Sequence, residues 1–469
     1  MRERRLITQQ YFLVSLGYVL LTLAVTAFEA KRIRGRGPDV ISVFIVLFLL
    51  QCCLPGIVIY ACLPLVDPSS PTEIPPIDRI YAAADVSTAA LVLGLTASFI
   101  FFFHAFAALN ARLLGRFGSR AARALRLVVT GSPLRLPIVL TFGLALSLAS
   151  FYSLGSSLSE RYINLILFRA GSQEGEEKLL NALGLALTQT WAWLSIPALF
   201  VIYERRGRRL LWWLCLAALV VFMVLGVSRK ALFTPIVLMY LTLVLFDHRW
   251  RVKWLLAGAI PLLVWIAFGK ELIGVIAFHR TFSEVTGRYD TVAASLLRAA
   301  SEIGFTIVES LGTISLLDYL SPRFGVDHLL SVLRVIPTAH HWLGDLPPRI
   351  VRLSTEAFET SYDQDIAPGL FGQMWLDFRI FGPVVWGLML SVQMSFVQHL
   401  FARTIRTRQA AALFALVTFV VAMPLTVGTY DFTFSYDIYA LALGILLTFK
   451  LRGVRLPAIS SPTARAAAA

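Results

Sequence analysis

The chain has 469 residues, 57% of them hydrophobic and 15% charged, with a mean hydropathy of +0.73. That composition excludes an ordinary soluble globular domain and makes the lipid bilayer the main solvent. The formal charge of +14 does not point to nucleic acid, because membrane proteins gather Lys and Arg in short cytoplasmic loops for topological reasons.

A spanning helix needs about 20 mostly apolar residues. Such runs fall at 11–29, 40–62, 84–110, 137–156, 181–203, 210–227, 231–246, 254–278, 380–401, 410–428 and 436–449, eleven candidate spans in all. The stretch 210–246 would be roughly 55 Å long as one helix, nearly twice the hydrocarbon thickness. It must fold back, and Gly226-Val227-Ser228-Arg229-Lys230 is the polar place to turn. The paired tryptophans Trp191 and Trp193, Trp212 and Trp213, and Trp250 and Trp254 stand near span ends, as interfacial anchors do.

Alternate short loops differ in charge. The loops 31–39, 111–136, 204–209, 247–253, 402–409 and 450–455 hold 23 Lys and Arg, whereas the opposite set holds 9. The first set is therefore expected in the cytoplasm. This parity puts residues 279–368 and the Ser228-Arg229-Lys230 turn outside together. It also puts an arginine-bearing N-terminus outside, an awkward consequence for the first span.

The expected organisation is a transmembrane bundle over 1–278, an external helical domain over 279–368, a second group of spans over 369–455 and a disordered tail over 456–469. The fold class is an all-α polytopic membrane protein of about 11 (10–12) transmembrane helices with a large external loop. The four cysteines, Cys52, Cys53, Cys62 and Cys215, lie in apolar runs and read as small hydrophobes. No P-loop, HExxH, CxxC or strand-flanked GxGxxG occurs, which argues against ATP-driven pumping and metalloprotease chemistry.

The external segment carries 11 acids and 7 arginines, too many for a linker. Within it Thr291, Ser295, Arg298, Glu302, Thr306, Glu309 and Thr313 recur every three or four residues among Ala, Leu, Ile, Val, Phe and Gly. The spacing predicts one helix whose polar stripe lines a wet cleft; the plainer reading is a surface helix with an Arg298–Glu302 pair. Arg229 and Lys230, at the outer end of a hairpin, are placed to meet a lipid phosphate, or simply to snorkel to head groups. Lys270 and Glu271 read as a mutual ion pair. Further along stand Arg334, His340, His341, Arg349, Arg352, Glu356 and Glu359. Adjacent histidines do not share one helix face, so no metal site is expected, and Asp363-Gln364-Asp365 is a lone DxD in an acidic loop.

Three stretches together resemble the Wzy family of O-antigen and exopolysaccharide repeat-unit polymerases. They are Ser228-Arg229-Lys230 after a span, the segment Phe324-Gly325 through Arg334-Val335-Ile336-Pro337, and Pro368-Gly369-Leu370-Phe371-Gly372-Gln373-Met374-Trp375-Leu376-Asp377-Phe378-Arg379-Ile380-Phe381-Gly382. The family often has Glu, Asn and Gly where Gln373, Asp377 and Arg379 stand. The resemblance covers roughly 210–400 and implies a bacterial inner-membrane enzyme similar to the C-type glycosyltransferases. Such an enzyme moves a growing glycan from undecaprenyl pyrophosphate to an incoming lipid-linked repeat unit, with a chain-length regulator and a flippase as partners and no cofactor or metal. On this reading Arg229, Lys230, Arg280, Arg288 and Arg298 hold the pyrophosphate. Glu309 or Glu302 is the general base, and His340, His341, Arg349, Arg352, Asp377 and Arg379 are candidate glycan contacts. An O-antigen ligase, a lipid-linked oligosaccharide flippase and a structural scaffold remain as alternatives; the chain lacks the internal symmetry common in transporters.

Overall fold

Long apolar runs without Pro or Gly clusters make long helices, because in lipid each backbone N–H and C=O must be satisfied within its own segment. The computed structural model describes residues 2–34, 37–66, 75–117, 125–131, 229–246, 291–335, 350–357, 367–405, 407–428 and 449–455, with a few isolated positions. The described chain is mostly helical. Four helical stretches are long and apolar enough to cross a membrane: Thr8–Ile33, Val40–Leu65, Val86–Leu114 and Leu370–Arg403. The expected spans at 137–156, 181–203, 210–227 and 254–278 lie outside the described residues, as do most of 436–449, all three tryptophan pairs, Lys270, Glu271 and the tail 456–469.

Helix α1 (Arg2–Ile33) lies along α5 (Val86–Phe117), and between them comes a span built of α2 (Val40–Phe48), a π-helical turn (Leu49–Cys53), α3 (Leu54–Cys62) and a 3₁₀ turn (Leu63–Leu65). Helix α4 (Pro75–Ala83) precedes α5, and strand β1 (Leu125–Gly131) follows it. Helix α6 is Arg229–Phe246. The segment expected to be external, 279–368, holds α7 (Val292–Ile303), α8 (Phe305–Leu317), α9 (Val326–Val335) and α10 (Ile350–Ala357). Helices α11 (Leu370–Phe378), α12 (Gly382–Arg403), α13 (Arg408–Val421) and α14 (Pro424–Val427) come next, then strand β2 (Phe449–Arg455).

The outward faces of these helices are apolar. On α1, Leu13, Leu16, Leu20 and Leu23 are exposed, and on α12 so are Leu388, Val392 and Phe396. That inversion of the soluble pattern suits lipid as the surrounding medium. Inside, Tyr18, Phe44, Phe48, Phe99, Phe103, Phe371 and Trp386 form one buried core. Helices α5 and α12 approach closely at Gly387, where an added Cβ would stand 3.1 Å from Phe102 Cβ. Small residues at such crossings are how helices pack when lipid supplies no hydrophobic drive.

One end of the bundle is tied by charge. The Asp39 side chain caps α2 by accepting from the Ser42 N–H, and Arg32 binds both Asp39, at 2.6 Å, and Glu29, at 2.7 Å. Burial alone would raise the Asp39 carboxyl, but the Arg32 guanidinium and the Ser42 donors hold it below the usual carboxylate range. The Val40 N–H donates to Gln398 Oε1 of α12. Beside this end, β1 and β2 pair antiparallel from Leu125↔Arg455 to Gly131↔Phe449, so residues 450–455, expected as a simple loop, form the one small sheet among the described residues.

Two discontinuities shape the opposite side. The stripe from Thr291 to Thr313, expected on one helix, is split: α7 and α8 meet at Gly304 with a bend of 88°. The bend has a packing cause, since a Cβ on Gly304 would lie 2.2 Å from Pro55 Cβ. The second break separates α11 from α12. Although Leu370–Arg403 counts as one span by length and composition, a Cβ on Gly382 would lie 2.3 Å from the Met374 carbonyl oxygen. Eight residues of straight helix would separate those groups by about 12 Å, so the chain turns back sharply at Arg379–Phe381.

Helix α11 starts where three backbones converge. Gly369 (φ 68°) and Gly428 (φ 70°) are both left-handed, and a Cβ on Gly428 would lie 2.1 Å from the Gly369 carbonyl carbon. Gly428→Ala is expected to lower the unfolding free energy by about 2 kcal/mol or more, through overpacking and left-handed strain together. Gly94→Ala, whose new methyl meets nothing within 4 Å, is expected to leave stability unchanged or slightly raised. Thermal unfolding of the two variants in detergent, followed by intrinsic fluorescence, measures the contrast.

Candidate functional site

Polar groups concentrate where the two broken helices meet. Helix α8 presents Thr306, Glu309, Ser310 and Thr313 toward α11, all of them at most 1% exposed. The expected wet cleft is therefore absent along α8, and its stripe is enclosed. Two members have a clear task. Thr306 Oγ1 accepts from the Leu370 N–H at 2.8 Å, and Ser310 Oγ accepts from the Phe371 N–H at 3.1 Å. These hydroxyls satisfy amide donors that every helix N-terminus leaves open, from a neighbouring helix because Gly369 itself has no side chain to cap with.

Glu309 sits one residue before Ser310 and is fully buried. The Ala367 amide faces its carboxyl, but neither oxygen closes a hydrogen bond of ordinary geometry. An enclosed carboxyl with so little compensation is costly to maintain, and such groups concentrate where function requires them.

A second buried carboxylate, Asp377, lies at the C-terminal end of α11. Three donors converge on it: Gln373 Nε2 reaches Oδ1 at 3.0 Å, while His328 Nε2 and Trp386 Nε1 reach Oδ2 at 3.1 and 3.3 Å. The His328 ring also lies edge-on to Trp386, centroids 4.7 Å apart. One carboxylate thus joins α9, α11 and α12. Around it the backbone is knitted as well, with Arg323 N–H donating to Leu376 O and Phe324 N–H to Asp377 O. Phe324 and Arg379, both at φ 51°, are the non-glycine residues with left-handed backbone among those described. Each such residue costs on the order of 1–2 kcal/mol. The strain is held by the paired strand of backbone and by Arg379, whose guanidinium bonds the Asp318 carboxylate at 2.6 Å and the carbonyls of Asp318 and Leu320.

These contacts give Asp377 and Arg379, both expected as candidate glycan contacts, protein partners. Asp377 is fully enclosed and its oxygens are taken by protein donors, so it is a structural hub. Arg379 is a staple across Asp318 and Leu320, stacked over Trp375. On α7, Arg298 and Glu302 face each other at 3.9 Å, with side chains 15% and 10% exposed. Next to them Tyr81 of α4 shares a hydrogen with Ser301 at 2.6 Å, which brings α4 against α7. Burial pushes the Tyr81 hydroxyl up from its ordinary value, so it stays protonated in this setting.

Arg229 and Lys230 occupy the first turn of α6, and Arg352 lies on α10. Arg280, Arg288, His340, His341 and Arg349 are outside the described residues, as are Asp363-Gln364-Asp365. His328 and Tyr81 were missed in the sequence. His328 offered a faint signal, standing three residues after Gly325 within a stretch already singled out; Tyr81 offered none. No group of three or more His, Cys, Asp or Glu with metal-binding arrangement occurs among the described residues.

Asp377→Ala leaves three buried donors without their acceptor, so it is expected to destabilise by about 3–5 kcal/mol. Trp386→Phe removes one long bond and is expected to cost about 1–2 kcal/mol. Chemical denaturation of the detergent-solubilised chain reads both; equal and small losses would deny Asp377 its role as a hub.

Compared with protein-family models, with curated proteins and with solved structures, the chain finds no match.

Proposed function

We propose that this chain is a glycosyltransferase that polymerises undecaprenyl-pyrophosphate-linked oligosaccharide repeat units into O-antigen, capsule or exopolysaccharide at the outer face of the bacterial inner membrane. One observation supports the reading most. Two of the three stretches that resemble the repeat-unit polymerases, Phe324-Gly325 and Pro368 to Gly382, are far apart in sequence yet form a single unit through the Phe324–Asp377 and Arg323–Leu376 backbone bonds and the His328–Asp377 contact. A loose similarity scattered along the chain would have no reason to converge.

The chemistry asks for little beyond positioning. An acceptor hydroxyl oxygen attacks the anomeric carbon of the donor glycan, the bond from that carbon to the pyrophosphate oxygen breaks, and undecaprenyl pyrophosphate leaves with the electron pair. The hydroxyl proton passes to a carboxylate. Cations near the leaving group stabilise its charge, and Arg298 stands beside Glu302 for that purpose, with Arg229, Lys230, Arg280 and Arg288 as the further candidates from the sequence. Of the two carboxylates, Glu302, whose side chain is 10% exposed and faces Arg298, suits the base role better than the fully buried Glu309, although the carboxyl oxygens of both are enclosed and meet a sugar hydroxyl only after local movement.

The test is the glycan ladder of a deletion strain complemented with wild type, Glu302→Gln or Glu309→Gln. Deletion is expected to leave single repeat units, and Glu302→Gln to restore less than about 1% of the ladder at normal membrane abundance, the size of effect general-base removal gives. Full ladders from both Gln variants would remove the base assignment. Full-length polymer left on its lipid carrier after deletion would replace the polymerase reading with the ligase.

A further inference from the structure

Helix α12 begins at Gly382, and immediately before it Ile380 and Phe381 are 73% and 69% exposed. Across the Phe324–Phe378 ring contact, with centroids 6.3 Å apart, stand Tyr319, Phe324 and Leu329, exposed by 78%, 72% and 60%. Five large apolar side chains thus crown one corner of the protein, and two of its turns, at Phe324 and Arg379, are left-handed. A segment expected to be a polar external cap has no reason to keep such a corner in water, where apolar area costs free energy in proportion to its size.

Its height supplies the partner. At the other end of α12, Gln398 is bound by the Val40 N–H beside the Arg32–Asp39–Glu29 cluster. From Gln398 back to Gly382 the helix climbs about 24 Å, most of the roughly 30 Å of a hydrocarbon core, and Ile380 and Phe381 sit in the turn at its end. Ile380 and Phe381 therefore stand at the opposite boundary. They continue the outward stripe of Val385, Leu388, Val392 and Phe396, which is itself exposed and apolar. The corner also holds its charge in pairs, Arg379 with Asp318 and Arg323 with Asp327, while Tyr319 has the amphipathic ring that favours head-group level.

We propose that the corner formed by Tyr319, Phe324, Leu329, Ile380 and Phe381 is immersed in the phospholipid of the outer leaflet, anchoring the base of the external segment in the membrane. The occupant is bulk acyl chain, and the inference stands whether or not the enzymatic reading does. Its consequence is that the Asp377 hub lies at the membrane boundary, with α9 resting on the lipid surface rather than projecting from it.

The full chain is tested in phosphatidylethanolamine and phosphatidylglycerol vesicles, with one nitroxide attached at Leu329→Cys or Phe381→Cys in a background lacking the Cys52, Cys53, Cys62 and Cys215 thiols. Leu388→Cys serves as the lipid reference and Thr130→Cys as the water reference. Collision with oxygen several-fold more frequent than with a soluble nickel chelate at both positions, matching the Leu388 reference, is the expected result. A nickel-dominated signal like that of the Thr130 reference would overturn the proposal. So would protection from both reagents, which would mean that protein, such as a second copy of the chain, covers the corner. Only preparations that elute as a single monodisperse species are compared, and two positions guard against one label disturbing the fold.

Discussion

A helix that starts inside the bundle exposes amide hydrogens that neither lipid nor apolar side chains accept, and the packing of α7, α8 and α11 is arranged around meeting that demand at the start of α11. Thr306 and Ser310 of α8 supply the two oxygens. They reach because Gly369 and Gly428 allow three backbones within contact of one another. For α8 to lie there it must turn 88° from α7, and Gly304 permits that turn against Pro55. The π-helical turn at Leu49–Cys53 lies just below, another departure from regular helix at the same junction and of the kind that collects at functional sites. The consequence is an interlocked assembly with a buried carboxylate at each end of α11.

The two carboxylates are treated differently by their surroundings. Asp377 has every oxygen occupied, and its value is geometric: it locks α9, α11 and α12 together and keeps the strained turns at Phe324 and Arg379 in place. Glu309 has only the Ala367 amide before it. Glu302 faces Arg298 at 3.9 Å, with its side chain 10% exposed and its carboxyl oxygens enclosed. Proton transfer to an acceptor sugar requires contact, and Glu302 is assigned that work because its side chain is the less buried of the two and faces a cation.

Much of the membrane architecture was legible in the sequence, because length and uniform apolarity leave lipid as the only suitable solvent. The runs at 11–29, 40–62, 84–110 and 380–401 match helices long enough to span. The polar periodicity from Thr291 to Thr313 was legible too, but its meaning was not. Periodicity reports a face and cannot report a bend, and Gly304 reads as one more small residue until Pro55 is seen against it. The hub at Asp377 was hidden for a similar reason: Asp377, Gln373, His328 and Trp386 belong to three elements, and only folding reveals that their hydrogen bonds close on each other. The two-stranded pairing of 125–131 with 450–455 joins segments more than 300 residues apart, beyond any local pattern.

If this chain alone lengthens a lipid-linked glycan, as proposed, reconstitution will reveal it. Purified full-length protein in proteoliposomes would be given undecaprenyl-pyrophosphate-linked repeat units extracted from its own deletion strain, with no nucleotide added, and the lipid-bound glycans resolved by length. A ladder of successive repeat units accompanied by release of undecaprenyl pyrophosphate is the expected result. Glycans that stay at a single unit, with protein folded and substrate accessible on the outer face, would contradict it.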